Sequence, residues 1–588
     1  MSVTGNEAFG LGRTGGHRHL LLGSRHMVSA GHFAAAHAAF LVLEAGGNAV
    51  DAGVAGGIAL GVLQSDLVNV AGVAPIMVYR AERRELITID GLGVWPRAAN
   101  PDYFRTAHRG EIPEGLMRTV VPAAPASWLK ALLRYGTMSF GEVASAAISF
   151  AREGFPMHPP MSDYIARNSE RYRRWPQNAA IYLPKGRAPR VGEIFVQRDL
   201  AATLQYMADE EKPSAKGGRE AGIRGARDAF YKGDIARQIA AFHAANGGWM
   251  TEADLAGYDV RIEPAVKVRF GDIEVHTCGP WCQGPVLAQA LRLLDGIDLR
   301  ALNHNSPAYI HTVTEALKLA FADREAYYGD PQFVDVPLEA LLSDRYSAER
   351  RKLIDPERAT PGMPAAGRAW ADRAPPELVL ATGAGVGGAG PRTAHDTSYI
   401  AVVDRHGNAF SATPSDSSSD MEIVPGTGLA PSSRGCQSYT IDGHPSALAP
   451  GKRPRLTPNP AMAFFGDRVV MPFGTPGGDV QSQAMLQVLL NVAVFDMDLQ
   501  AAVSAPRFAT YSFPNSFEPH DYLPGRLMVE SRMPKKTMDV LATLGHDAQA
   551  WPEWSWHAGS VCAVVLDKTT GVLAGGADPR RSSYAVGW

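Results

Sequence analysis

The chain has 588 residues, 45% of them hydrophobic, with 57 Lys and Arg against 60 Asp and Glu for a net charge of −3. That balance excludes the broad cationic face that nucleic acid or an anionic bilayer would require, and no run reaches the ~18 apolar residues of a bilayer-spanning helix. Four cysteines (Cys278, Cys282, Cys436 and Cys562) are too few for a disulfide framework. The CxxxC of Cys278 and Cys282 has no further Cys or His pair at ligand spacing, and the 17 histidines contain no HExxH. No metal and no cofactor are expected.

Residues 1–26 are polar and rich in Gly, His and Arg, a mobile lead-in. They lack the long apolar core and small-residue cleavage site of a signal peptide, since Leu20-Leu21-Leu22 is too short, so a cytoplasmic location is expected. Met27-Val28-Ser29-Ala30 opens a strand. Residues 32–45 read as a helix, with Phe33, Ala36, Phe40 and Leu43 on one face and a stop at Gly46-Gly47. Residues 51–63 form a second helix, rich in Ala and Gly and able to pack closely. Residues 76–79 and 86–89 make a hairpin across a charged turn. Residues 128–135 and 140–153 are helical by period, and the basic cluster at 167–174 reads as a solvated helix face. Residues 210–227, charged and Gly-rich, read as a surface loop or insertion. Residues 315–328 form a long amphipathic helix. A strand at 469–473 leads into Gly474-Thr475-Pro476-Gly477-Gly478, a helix follows at 479–494, and 560–566 is the last strand region. Although this length ordinarily suggests about three or four domains, no linker separates folded halves.

One position stands apart. After a Gly/Ala/Pro-rich loop at 375–392, the segment His395-Asp396-Thr397-Ser398-Tyr399-Ile400-Ala401-Val402-Val403 reads as a buried strand headed by a hydroxyl residue. The turn Asp404-Arg405-His406-Gly407-Asn408 returns it into a second run, Ala409-Phe410-Ser411-Ala412-Thr413. If the bond between Asp396 and Thr397 is cut, the freed α-amine can serve as base for its own hydroxyl. Such an amine titrates near pH ~8, close to the working range of a general base.

The string from Asp396 to Thr413 resembles the opening of the small subunit in the gamma-glutamyltranspeptidase family of N-terminal-nucleophile hydrolases. Further blocks follow in family order: Gly46-Gly47-Asn48-Ala49-Val50-Asp51-Ala52, Asp323-Arg324 with Gly329-Asp330-Pro331, Lys452-Arg453-Pro454, the glycine loop at 474–478, Ala505-Pro506-Arg507 and Ala577-Asp578-Pro579-Arg580. The resemblance implies an α+β fold, one four-layer αββα sandwich built from both fragments, 1–396 and 397–588. These would remain together as a heterodimer, and that pair could itself dimerise. It implies Thr397 as nucleophile in both self-cleavage and turnover. Gly477 and Gly478 then supply backbone N–H groups to the developing oxyanion, and each such donor is worth roughly 3 kcal/mol. Ser415 falls where the family keeps a second hydroxyl beside the nucleophile, and Thr413 would share its strand face if the strand continued past Pro414.

Departures from the family pattern bear on substrate. Leu92, within Ile89-Asp90-Gly91-Leu92-Gly93-Val94-Trp95-Pro96, stands where γ-glutamyl-binding members carry an Arg for the substrate α-carboxylate, and Gln437 where they carry an Asp for the α-amine. Leu456-Thr457 replaces a pair of serines, leaving Thr457 as a hydrogen-bond donor. Arg434, in Arg434-Gly435-Cys436-Gln437-Ser438-Tyr439, resembles the cephalosporin acylase-like and oxamate amidohydrolase-like branches and could grip a substrate carboxylate. The expected function is an autoprocessed amidohydrolase acting on a small amide that is not γ-glutamyl. Alternatives are a true γ-glutamyltransferase or glutathione hydrolase, a hydrolase of activated C–C bonds, and, outside enzymes, a non-processing metabolite-binding relative.

Overall fold

The structure, a computed structural model, describes residues 18–370, 372–376 and 396–588. Two seven-stranded sheets stack face to face. The first runs Leu21–Gly23, Leu573–Ala577, Cys562–Asp567, Val469–Gly474, Ala461–Phe465, Ile273–Thr277, Val266–Phe270. The second runs Tyr584–Gly587, Met27–Ala30, Ile400–Val403, Ala409–Ala412, Ile76–Arg80, Glu85–Ile89, Ile262–Pro264. Neighbours in both are antiparallel. Helices Phe33–Glu44 and Ala49–Leu63 cover the second sheet, and Gly284–Leu294, Pro307–Tyr327 and Gln481–Ala493 cover the first. This is the α+β four-layer αββα sandwich.

Strand Ile400–Val403 is apolar at every position because both of its faces are covered. Tyr399, Ala401 and Val403 join the core between the sheets, while Ile400 and Val402 join the core under the helices, the period of two expected of a strand. The Ala/Gly character of helix Ala49–Leu63 has the same origin. A Cβ on Gly53 would stand 2.1 Å from the Phe410 ring, and one on Gly56 2.3 Å from Ile400. Asn48 caps this helix, and Asp51 accepts from the Asn48, Thr137 and Met138 N–H groups. Asp404, in the hairpin turn, accepts from the N–H of Ala49 at 3.0 Å and from the Asn408 side chain.

Several expectations need correction. Residues 210–227 are not a loop but the end of helix Arg198–Ser214, a 3-10 turn at Ala215–Gly217 and the start of helix Arg219–Tyr231. Their glycines permit a close crossing, since a Cβ on Gly225 would meet Ser214 Oγ at 2.4 Å, and Glu211 accepts from the N–H groups of Phe140 and Gly141 at 2.7 Å each. Helix Pro307–Tyr327 is longer than expected and buried on all sides rather than amphipathic. Its charges are paired, Lys318 with Glu315 inside the helix at 2.7 Å and Asp323 with Arg350 of helix Asp344–Arg351 at 3.3 Å. Leu21–Gly23, assigned to a mobile lead-in, is an edge strand paired to Leu573–Ala577. Two strands follow the one expected to be last. Within the basic cluster, Arg167, Arg173 and Arg174 are exposed as expected, whereas Arg171 is largely covered and binds Glu114, which also pairs with Arg174. Residues 1–17, 371 and 377–395 lie outside the described residues, and with them 377–392 of the expected loop and His395 of the strand segment. No helix among those described is long and apolar enough to cross a membrane.

Candidate active site

Thr397 heads a central strand and is buried. It pairs as an isolated bridge with Ser415, whose other backbone partner is Val73. Strand pairing therefore passes Pro414 as a single bridge rather than a ladder. Thr397 Oγ1 and Ser415 Oγ are 2.8 Å apart, and Ser415 Oγ donates to the Asp396 carbonyl oxygen at 2.9 Å. Arg434 Nη2 also donates to Ser415 Oγ. A serine hydroxyl has one proton. With that proton on the Asp396 oxygen, the Thr397 hydroxyl must be the donor to Ser415. Thr413, by contrast, leaves its hydroxyl without a partner among the described residues.

Arg434 is held by Asp416, whose Oδ1 lies 3.1 Å from Nε. Asp416 adopts φ +119°, strained for a residue other than glycine, and is fixed there by Ser432 Oγ, Ser433 Oγ and the Ser433 N–H. Burial pushes its carboxyl up, against the pull of Arg434. Arg434 Nη1 has no partner among the described residues. Gln437 ends the same 3-10 turn, Arg434–Gln437, and donates to Thr457 Oγ1 at 3.1 Å, leaving its own Oε1 free among the described residues. Thus Thr397, Ser415, Asp396 and Arg434 form one cluster, and Gln437 and Thr457 another. Leu92 belongs to neither by hydrogen bonding. It packs in the core between the sheets with Val73, whose backbone holds Ser415.

The glycine loop leaves the end of strand Val469–Gly474. A Cβ on Gly474 would meet the Tyr399 ring at 2.3 Å, so the loop begins beside the chain just after Thr397. Gly477 and Gly478 take φ +126° and +55°, open to glycine and strained for other residues. Their N–H groups donate no hydrogen bond among the described residues. Asp479 is gripped by Arg324 Nη1 at 2.5 Å and by the Ser516 N–H at 2.7 Å.

Most of the remaining motif residues hold the scaffold. Arg453 joins Asp330 at 2.8 Å and Asp90 at 2.9 Å, and burial lifts Asp90 to about 6 despite Arg453. Arg507 pairs with Asp578 and donates to the Ala558 carbonyl at 2.9 Å. Gly559, next along, lies against Gly477.

Two residues escaped sequence reasoning. Arg581 binds the Asp396 carboxylate, Nη2 to Oδ2 at 2.7 Å. The only signal for it was its place beside Arg580. Asp66 lies buried after helix Ala49–Leu63, its oxygens making no hydrogen bond to another residue described. Burial, reinforced by Asp396, holds its carboxyl up to about 7. One group has metal-ligand spacing among the described residues, His311, Glu315 and His546. There Glu315 is engaged by Lys318 and the Thr360 N–H, and the two imidazoles by each other.

Comparison with known proteins agrees with this architecture. The family model described as gamma-glutamyltranspeptidase matches residues 35–588. The acylase ACY 1 proenzyme of Pseudomonas sp. strain SE83 is 31% identical over 572 residues, covering 94% of this chain and 92% of that protein. The glutathione hydrolase-like YwrD proenzyme of Bacillus subtilis strain 168 is 30% identical, covering 96% and 99%. Among solved structures, cephalosporin acylase from Bacillus halodurans superposes with a TM-score of 0.84 at 29% identity, covering 98% of each chain.

Proposed function

The chain belongs to the gamma-glutamyltranspeptidase family, and on that premise we propose that it cuts itself before Thr397 and then hydrolyses a small amide that is not γ-glutamyl. The observation that carries this is the hydrogen-bonded series Thr397 Oγ1, Ser415 Oγ, Asp396 carbonyl oxygen, closed by Arg434. As Thr397 Oγ1 bonds to the Asp396 carbonyl carbon, its proton passes to Ser415. The Ser415 proton passes in turn to the carbonyl oxygen, and Arg434 stabilises the charge that accumulates on Ser415 during the exchange. Collapse of the adduct breaks the C–N bond as the adduct's hydroxyl proton passes to the departing Thr397 nitrogen, giving an amine and an ester, and water hydrolyses the ester. The products are an Asp396 carboxylate and a free Thr397 amine.

In turnover that amine takes the hydroxyl proton as Oγ1 attacks the substrate carbonyl. The unpartnered Gly477 and Gly478 N–H groups are suited to the oxyanion, and a second water releases the acyl group. Leu92 and Gln437 weigh against γ-glutamyl substrates, because neither can neutralise an ionic head group. A second reading, glutathione hydrolysis, draws on the name of the Bacillus subtilis relative.

Purified protein should resolve on a denaturing gel into fragments 1–396 and 397–588, the smaller beginning Thr-Ser-Tyr-Ile on N-terminal sequencing. Thr397→Ala should abolish both cleavage and turnover, whereas Thr397→Ser should keep part of each. A fully active preparation that remains one uncut chain would sink the assignment.

A further inference from the structure

Arg581 touches the residue whose carbonyl is attacked, yet the chemistry above makes no use of it. Its side chain is 3% exposed. Nη2 binds Asp396 Oδ2 at 2.7 Å and the Trp556 carbonyl at 2.9 Å, and the guanidinium lies 3.8 Å from the Trp556 ring centre. Nε and Nη1 have no partner among the described residues. The other carboxylate oxygen, Asp396 Oδ1, accepts the Thr397 N–H at 2.9 Å. Asp66, which also senses Arg581 and Asp396, makes no hydrogen bond to either.

Self-cleavage breaks the bond that tethers the Asp396 carboxylate to Thr397. Once that carboxylate moves away, the buried guanidinium loses its ion-pair partner, an unfavourable state that another carboxylate would relieve. The ester formed during maturation and the acyl-enzyme formed in turnover are the same bond on the same atom, Thr397 Oγ1. A side chain that holds the first acyl group therefore faces the second. Asp396 presents its carboxylate two carbons from the attacked carbonyl.

We propose that Arg581 is the acyl-side specificity residue of the mature enzyme, and that its substrates are succinyl-type monoamides, with a carboxylate two carbons from the scissile carbonyl. Hydrolysis consumes one water, breaks the C–N bond, and releases the amine and a dicarboxylic acid. The inference rests on the amidohydrolase reading above, and the two can fail separately.

The test uses processed wild-type enzyme with four p-nitroanilides: succinyl, its carboxamide isostere succinamoyl, glutaryl and butyryl. A charge-assisted pair in a buried site should favour succinyl over succinamoyl by roughly 10- to 100-fold in kcat/KM, with glutaryl lower and free succinate inhibiting where butyrate does not. Arg581→Lys, which keeps a cation for Asp396 during maturation, should shrink the succinyl-over-succinamoyl ratio by about tenfold, a ratio read within one variant and therefore insensitive to any general loss of activity. If succinyl and succinamoyl anilides are cleaved equally, Arg581 does not select the acyl group, though the enzyme is still an amidohydrolase. If processed protein cleaves none of the four, the succinyl assignment falls, while the amidohydrolase reading is decided separately by the gel and the Thr397 variants. Should the lysine variant stay uncut, the wild-type comparison alone decides.

Discussion

Replacing Ser415 with Ala tests the proton path most directly. The change removes the hydroxyl that lies 2.8 Å from Thr397 Oγ1 and 2.9 Å from the Asp396 oxygen. In the uncut ground state these are hydrogen bonds between neutral groups, each contributing about 1 kcal/mol. In the transition state the carbonyl oxygen gains negative charge and the Thr397 proton needs a destination, so the loss rises to about 3 kcal/mol, or roughly 100-fold in rate. The assay is a time course of band conversion for freshly purified chain on a denaturing gel, with circular dichroism to confirm that the variant is folded. Ser415→Thr, which retains the hydroxyl, should cleave within about tenfold of wild type. Conversion of Ser415→Ala at the wild-type rate would show that the hydroxyl is a bystander and that the proton leaves Thr397 by another route.

Asp66 offers a test in the pH dependence of stability. Its carboxyl titrates at about 7 in the folded chain against 3.8 in the unfolded one, so the folded state holds the extra proton between those values. Stability should fall by up to about 4 kcal/mol as pH rises through that window. In a Thr397→Ala background, which keeps Asp396 in place, Asp66→Asn should therefore be the more stable protein at pH 8 but not at pH 4, as read by urea titration, and a difference independent of pH would refute this. For substrate choice, a γ-glutamyl anilide should trail the best non-glutamyl amide by on the order of a thousandfold in kcat/KM. Leu92→Arg combined with Gln437→Asp should recover more of it than the two single changes predict together. Wild-type protein cleaving glutathione as well as its best amide would return the chain to glutathione hydrolysis.

Local patterning made much of this structure readable. The hairpin at 400–412 shows itself in apolar runs and an Asp-to-Asn turn, and the glycine loop in its paired glycines between a strand and a helix. Hydroxyl placement pointed to Ser415 as well as Thr413, and only backbone pairing separates them, because the single bridge beyond Pro414 turns Ser415 onto Thr397. Helices Arg198–Ser214 and Arg219–Tyr231 were hidden because the small residues that let them cross closely also typify loops. Arg581 was hidden for a different reason. Its partner Asp396 lies 185 positions away, and nothing in either neighbourhood announces a pairing made only by the fold. The quoted blocks also carried less chemistry than their specificity suggested, since Asp51, Asp330, Arg453 and Arg507 bind scaffold elements to one another.

If the chain is cut before Thr397 as proposed, the interleaving of the two sheets makes maturation a one-way event. Strand Ile400–Val403 lies against Met27–Ala30, and Cys562–Asp567 shares its sheet with Val266–Phe270. While the chain is continuous, every such pairing closes within one molecule. Once it is cut at Thr397, the same pairings join two molecules, and a fragment that escapes must find its partner again by diffusion, in competition with aggregation through its exposed strand edges. The working lifetime of the cut enzyme is then set by how rarely it opens rather than by how well it refolds. On the proposed cleavage the order of events matters for the same reason: folding would have to be finished before Thr397 is freed.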